Sequence, residues 1–239
     1  MQSVERAFEL LEIMASAGGT VALSELAERA ALPQPTIHRL ARTLLVMGYV
    51  RQLPNRRYAL GPKLIRLGES AAKLIGAWSR PHLAELVERT GETANMAVLD
   101  NDMAVYVAQV PSPHSMRMFT EVGRRVYPHC TGVGKALLAF NSRALTDAVI
   151  AQGLARLTPR TIIAPALLRR DLARARARGF AVEREESTVG IECVAVPIID
   201  AAGSAVAAIS MTGRVHEFPA PAATAALRTA ALSLSRALR

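Results

Sequence analysis

Two cysteines, Cys130 and Cys193, are too few for a disulfide framework and suit a reducing cytoplasm. No segment reaches the about 18 uninterrupted apolar residues of a membrane span. The first stretch, MQSVERAFELLEIM, carries glutamates inside its apolar pattern and reads as an amphipathic helix rather than a secretory signal. Metal spacings of the CxxC or HxxxH kind are missing, as is the phosphate-cradling GxxxxGK[ST] loop. No nucleophile elbow surrounds either cysteine, so nothing calls for a cofactor or supports an enzyme. Acidic residues vanish from one stretch: Arg29 to Arg66 holds eight basic residues and no Asp or Glu.

Around that acid-free stretch lies the most informative pattern, LSELAERAALPQPTIHRLARTLLVMGYVRQLPNRRYAL, residues 23–60. Leu23, Leu26, Ala27 and Ala30 share one helix face, and Ile37, Leu40, Ala41 and Leu44 share another. Ala31-Leu32-Pro33 separates the two, and Pro35 is tolerated only in the first turn of the second helix. With its stripe buried, that helix turns His38, Arg39, Arg42 and Thr43 outward, with Gln34 and Thr36 near its tip. Such side chains suit base edges and phosphates in a major groove. Tyr49–Leu53 and Arg57–Leu60 flank Pro54-Asn55-Arg56 as a hairpin, with Arg56 and Arg57 making it basic. The order helix, turn, helix, basic wing predicts a winged helix-turn-helix that binds double-stranded DNA rather than a merely solvated helical domain.

Charge and length agree with this. The net charge is +9, with eleven basic and six acidic residues in 1–80 against eighteen and fourteen in 81–239. The first third thus carries more than half of the excess, which favours a polyanionic partner. A chain of 239 residues suits about two domains. A first helix over residues 4–15, with Val4, Ala7, Phe8, Leu11 and Ala15 on one face, supplies a third element for the helical pair. Gly61-Pro62 resets the chain, and Lys63 to Trp78 reads as one longer helix with the stripe Leu64, Leu67, Ala71, Leu74, Ile75 and Trp78. That stripe fits a linker and a dimer contact equally well.

From Arg80 the pattern changes. A helix over Pro81–Thr90 precedes alternating strands at Ala94–Leu99 and Val105–Val110, joined by Asp100-Asn101-Asp102. Further strands are expected at Ser115–Thr120, Phe180–Glu185, Glu192–Ile199 and Ala205–Thr212, the last two closing a hairpin over Asp200–Gly203. Helices are expected at Gly134–Phe140, Arg143–Ala151, Ala166–Arg178 and from about Pro221 to Leu238. This is an α+β domain with mostly antiparallel strands. The resulting division is 1–61 for DNA binding, 62–79 for the linker helix and 80–239 for the second domain.

Three places there could hold chemistry. Gly132, Val133 and Gly134 precede a helix, where free backbone N–H groups suit a small carboxylate, although a plain glycine-rich connection reads as well. Cys193, Ser210 and Thr212 lie on adjacent hairpin strands, where small polar groups either bond locally or line a cavity. Arg169, Arg170, Arg174, Arg176 and Arg178 form a basic helix face that reads as solvated. A sensor of redox state or metal would have to use Cys130 and Cys193, with His129 and Glu183 at hand. Met96, Met116 and Met118 read as an adaptable apolar wall or as core filler.

SVERAFELLE, YALGPKLIRLG, TGETANMAVLD, YPHCTGVGKALLA and GIECVAVPIIDAAGSAVAAISMTG, with the helix-turn-helix itself, resemble the isocitrate-lyase-regulator (IclR) family of bacterial transcription factors. The resemblance covers almost the whole chain. It implies a winged helix-turn-helix, a linker helix and a GAF-like effector-binding domain. It further implies a homodimer on a pseudo-palindromic operator, a tetramer as a dimer of dimers, and repression relieved by ligand. The effector it implies is a small organic acid held by Gly132, Val133, Gly134, Cys193, Ser210 and Thr212. Glu183 stands where the family usually carries aspartate, and Pro35 where it usually carries serine or threonine. SVERAFELLE, GETANMAV and SMRMFTEVGRRVYPH look closest to the allantoin and glyoxylate branch, with aromatic acids as the other option.

Overall fold

The computed structural model describes residues 2–75, 77–113 and 122–237. The chain divides into two compact units, Met1–Leu74 and Ile75–Arg239. The strand expected over 115–120, with Met116 and Met118, lies outside the described residues.

In the first unit α1 (Gln2–Ser16), α2 (Leu23–Arg29) and α3 (Gln34–Val46) surround a core centred on Leu10, Met14, Leu26, Ile37 and Ala41. Ala31 at φ 49° reverses the chain between α2 and α3, and Pro35 sits in the first turn of α3 as its missing N–H allows. The inward stripe of α3 is as the spacing predicts: Ile37, Ala41 and Leu44 are buried and Leu40 packs beside them. On α1 the expected stripe is rotated. Leu10 and Met14 enter the core with Ala7 and Leu11 beside them, while Val4 and Phe8 remain 62% and 64% exposed and Ala15 is exposed. Ala7, Leu10, Leu11 and Met14 have the same i, i+3, i+4, i+7 spacing, and this is the stripe that packs with Leu26 and Ile37 in the core.

The hairpin of β2 (Val50–Gln52) and β3 (Tyr58–Leu60) gains a third strand, β1 (Thr20–Val21), paired to β3. Two residues are too few to show alternation, which is why the pattern hid β1. The span expected as one helix from Lys63 to Trp78 contains α4 (Lys63–Ile75) and then a one-turn 3-10 helix, Ala77–Ser79. Lys63 Nζ lies 4.8 Å from the centre of the Tyr49 ring and donates to the Met47 carbonyl at 3.1 Å, fixing the start of α4 to the end of α3.

The second unit is built on one antiparallel sheet in the order β6-β5-β4-β9-β8-β7. Its strands are β4 (Thr93–Asp100), β5 (Met103–Val110), β6 (Arg125–Val126), β7 (Ala181–Arg184), β8 (Ile191–Ile199) and β9 (Ala205–Arg214). Alternation sorts each strand between two helical layers. Met96, Val194, Val196, Ile209 and Met211 point to the layer of α5 (Arg80–Thr90) and α9 (Ala220–Ala237). The opposite face meets α6 (Gly132–Ala139), α7 (Arg143–Ala151) and α8 (Pro165–Arg178) through Ala97, Ala181, Ala195 and Ala208. Alanines there leave room, and the polar residues of the same parity, Glu183, Cys193, Ser210 and Thr212, share that roomy face. Among the described residues no helix is long and apolar enough to cross a membrane.

Candidate functional site

The first unit presents a basic face. Gln34, His38, Arg39, Arg42 and Thr43 of α3 are exposed, and Thr36 is half-buried in its first turn. Thr43 Oγ1 donates back to the Arg39 carbonyl at 3.0 Å, so its hydroxyl is partly occupied. At the wing tip Asn55 Oδ1 accepts from the Arg57 amide at 3.1 Å and Arg56 adopts φ 61°, which closes the turn and leaves the Arg56 side chain exposed. Arg57 is different. Its guanidinium donates to the Thr20 carbonyl at 3.2 Å and pairs with Glu25 at 3.5 Å, tying the wing to β1 and α2. The alternating pattern gave no sign of that tie, because it depends on Glu25 lying across from β3 in space.

The second unit holds a cavity of about 250 Å³ on the α6 face of the sheet. Gly132, Glu183, Cys193 and Thr212 line it, joined by residues that the sequence did not single out: Tyr106, Thr131, Ser187, Thr188 and, at its exposed rim, Arg124, Arg125 and Tyr127. Gly132, Val133 and Gly134 form the first turn of α6 rather than a loop before it, with Thr131 at the N-cap. A Cβ on Gly132 would stand 2.6 Å from Cys193 Sγ, and one on Gly134 would collide with the Pro128 backbone. The glycines are therefore needed for close packing as well as for their amides. Val133 is fully buried in the apolar layer, and neither it nor Gly134 is part of the cavity wall. Ser210 is also fully buried behind the wall; its Oγ lies near the Cys193 thiol without a hydrogen bond of good geometry. Thr212 Oγ1 does donate to Cys193 Sγ, at 3.4 Å.

Charge is buried around this cavity. Lys135, one residue past the α6 glycines, is 1% exposed and pairs with Asp171 of α8 at 2.9 Å and Glu186 at 2.5 Å. Glu183 is 2% exposed, and its Oε1 accepts from the amides of Glu186 at 2.6 Å and Ser187 at 3.1 Å. Burial, only partly offset by those amides, lifts its carboxyl from the usual range to about 7. Burial likewise pushes both the Cys130 and the Cys193 thiols up to about 12. Little thiolate forms at neutral pH under those conditions, which leaves the redox reading without a reactive sulfur. Among the described residues no three His, Cys, Asp or Glu side chains come together as a metal site requires. His129 is buried, with its Nε2 3.0 Å from the Ala155 carbonyl, and desolvation lowers its pKa.

A winged helix-turn-helix followed by a cavity-bearing sheet domain defines the class of helix-turn-helix transcriptional regulators. The family follows from comparison. Residues 72–236 match the model of the bacterial transcriptional regulator IclR C-terminal domain, and residues 3–54 match that of the IclR helix-turn-helix domain. The chain belongs to the IclR family. It is 38% identical over 221 residues to the transcriptional repressor IclR of Escherichia coli (strain K12), covering 90% of this chain and 81% of that protein. It is 32% identical to the transcriptional repressor AllR of Salmonella typhi, covering 89% of this chain and 79% of that one. Among solved structures, Thermotoga maritima IclR aligns with a TM-score of 0.85 at 32% identity, over 100% of this chain and 99% of the other. An IclR homolog from Microbacterium hydrocarbonoxydans complexed with 4-hydroxybenzoate aligns at 0.87 with 26% identity, over 99% of both chains. The chain is thus a DNA-binding transcriptional regulator and not an enzyme, in a family whose named relatives include repressors.

Proposed function

We propose that this protein is a cytoplasmic repressor that grips a pseudo-palindromic operator and releases it when a small organic acid fills the cavity of the second unit. One observation carries the reading: an acid-free, arginine-bearing helix face and a ligand-sized cavity with Glu183, Cys193 and Thr212 in its wall occur in one chain. Arg39 and Arg42 reach base edges in the major groove, with Gln34, Thr36, His38 and Thr43 beside them and Arg56 on the flanking backbone. Arg57 serves mainly to hold the wing. Residues 1–61 form the reading domain and 62–79 the linker helix. The exposed Val4, Phe8, Ile65 and Leu67 offer apolar area for a second copy, so that two recognition helices meet successive grooves; a dimer of dimers then forms through residues 80–239.

In the cavity the Gly132 amide and the Thr212 hydroxyl, turned from Cys193 to the ligand, hold the carboxylate, with Glu183 and Cys193 on its flank. Gly134, Val133 and Ser210 shape the site from behind. The effector acts by its differential affinity for the two states of the regulator, and by no more than that. That a structural relative was solved with 4-hydroxybenzoate supports an acid in this place and keeps aromatic acids beside glyoxylate and allantoate as candidates. The test is thermal unfolding against glyoxylate, pyruvate, allantoate and 4-hydroxybenzoate. At 100 times its dissociation constant a true effector stabilises the fold by about 2.7 kcal/mol. The same acid must then weaken operator binding in a gel-shift titration; stabilisation without that change would leave the cavity a binding site but not a regulatory one.

A further inference from the structure

The charges around the cavity bear on how an acid would bind there, given the effector role proposed for it. Three carboxyl groups, Glu183, Glu186 and Asp171, lie about a single buried ammonium, that of Lys135; the exposed Arg174 guanidinium meets Asp171 from the solvent side at 3.2 Å and reaches neither glutamate. Lys135 spends its contacts on Asp171 and Glu186, and both hydrogen bonds that Glu183 accepts fall on Oε1. The arginines of this cavity stand at its exposed rim, and Arg125 is already paired with Asp100. A carboxylate ligand entering this space would bring one more negative group to a floor that already has too few cations. Like charges at such range and burial cannot all ionise.

We propose that the site is proton-linked: a small carboxylate binds together with one proton from solvent, and Glu183 carries that proton. The bond formed is O–H on the carboxyl oxygen of Glu183, which then donates to an oxygen of the ligand instead of repelling it. The other groups facing Glu183 do not supply the proton. Cys193 on β8, Cys130 on the 3-10 turn Pro128–Cys130 and Tyr106 on β5 are all held neutral by burial. Glu186 is tied to Lys135, and Arg124, before β6, is a permanent cation whose attraction acts from the rim. Glu183 is left as the group that titrates near neutrality and touches the cavity. A ligand that requires the protonated form loses affinity tenfold for each pH unit above that titration.

The experiment is isothermal titration of the full chain with glyoxylate and with 4-hydroxybenzoate at pH 6, 7 and 8, in two buffers of different ionisation enthalpy. Binding should weaken about fivefold between pH 7 and 8, with a buffer-dependent heat that corresponds to almost no proton taken up at pH 6, about half a proton at pH 7 and nearly one at pH 8. Glu183→Gln, which keeps an acceptor for both amides, should bind with a pH-independent constant. An unchanged dissociation constant from pH 6 to 8, with no buffer-dependent heat, overturns proton linkage and leaves the effector site standing. Failure of both acids to bind at any of these pH values overturns the proposed acid-binding role, and the linkage with it. The buffer comparison on the unaltered protein decides the matter even where the variant does not fold.

Discussion

The two units treat charge in opposite ways. The first keeps its arginines on the surface and its small core apolar, apart from the Tyr58 ring. The second takes Lys135, Glu183 and Glu186 inside, each at most 8% exposed. A surface charge is free to meet a partner, and costs little whether or not one comes. A buried charge has to be satisfied by the protein itself, so it organises the structure around it. The contrast separates a unit whose interactions lie ahead of it from one whose polar groups already define a cavity.

The sharpest way to break this comparison is Lys135→Met. It leaves Asp171 and Glu186 buried without their cation and should cost the second unit about 3–5 kcal/mol in urea unfolding, with the first unit's helical transition unmoved. Equal loss in both units would show that the charge cluster is not confined to one of them. Next comes Glu183→Gln. Folding lifts this carboxyl from 4.5 to about 7, so the folded state holds its proton over a window where the unfolded chain has lost it. The native protein therefore loses stability as pH rises from about 4.5 to 7, and the variant should not. At pH 8 the variant should be the more stable by up to about 3 kcal/mol, and no gain should remain near pH 4. A variant equally improved at both values would mean that repacking, not ionisation, is responsible.

On the surface the expected effects are smaller and of another kind. Arg39→Ala should weaken specific operator binding by about 1–3 kcal/mol in fluorescence anisotropy, whereas Arg56→Ala should lower the salt slope by about 1 and weaken all DNA alike. Neither should move the melting temperature; a drop would mean that these arginines support the fold, as Arg57 does. The smallest effect is reserved for Ala31, which holds φ 49° between α2 and α3. Ala31→Gly should leave stability unchanged or slightly raised by calorimetry, against the loss of about 1 kcal/mol that the same change brings inside a helix.

Much of the first unit was readable because its determinants are local. The spacing of Ile37, Leu40, Ala41 and Leu44 sets which side of α3 is outside, and the Pro-Asn-Arg turn sets the hairpin. What failed there was a choice between two equally spaced stripes on α1, settled only by which one meets Leu26 and Ile37 in space. In the second unit the strands and their antiparallel order were readable from alternation. The cavity was legible only in part. Cys193 and Thr212 stood out as polar residues in an apolar hairpin, but Tyr106, Thr131 and the pair Ser187, Thr188 arrive from three separate segments with no common pattern. Lys135 gave no sign of burial, since a lysine in a short helix is ordinarily solvated.

One feature of the sheet bears on how the chain comes to be folded. Its two middle strands are β4 and β9, so Thr93 finds Thr212 and Ala97 finds Ala208 across more than a hundred residues. The described strand pairs and core of the first unit fall within the first 60 positions, so that unit can form early in synthesis. The sheet, by contrast, cannot close until β9 has left the ribosome, and the hairpin of β4 and β5 has to wait with one edge unpaired. During that interval the nascent chain is a finished DNA-binding head followed by an open strand edge, the segment most in need of a chaperone's cover.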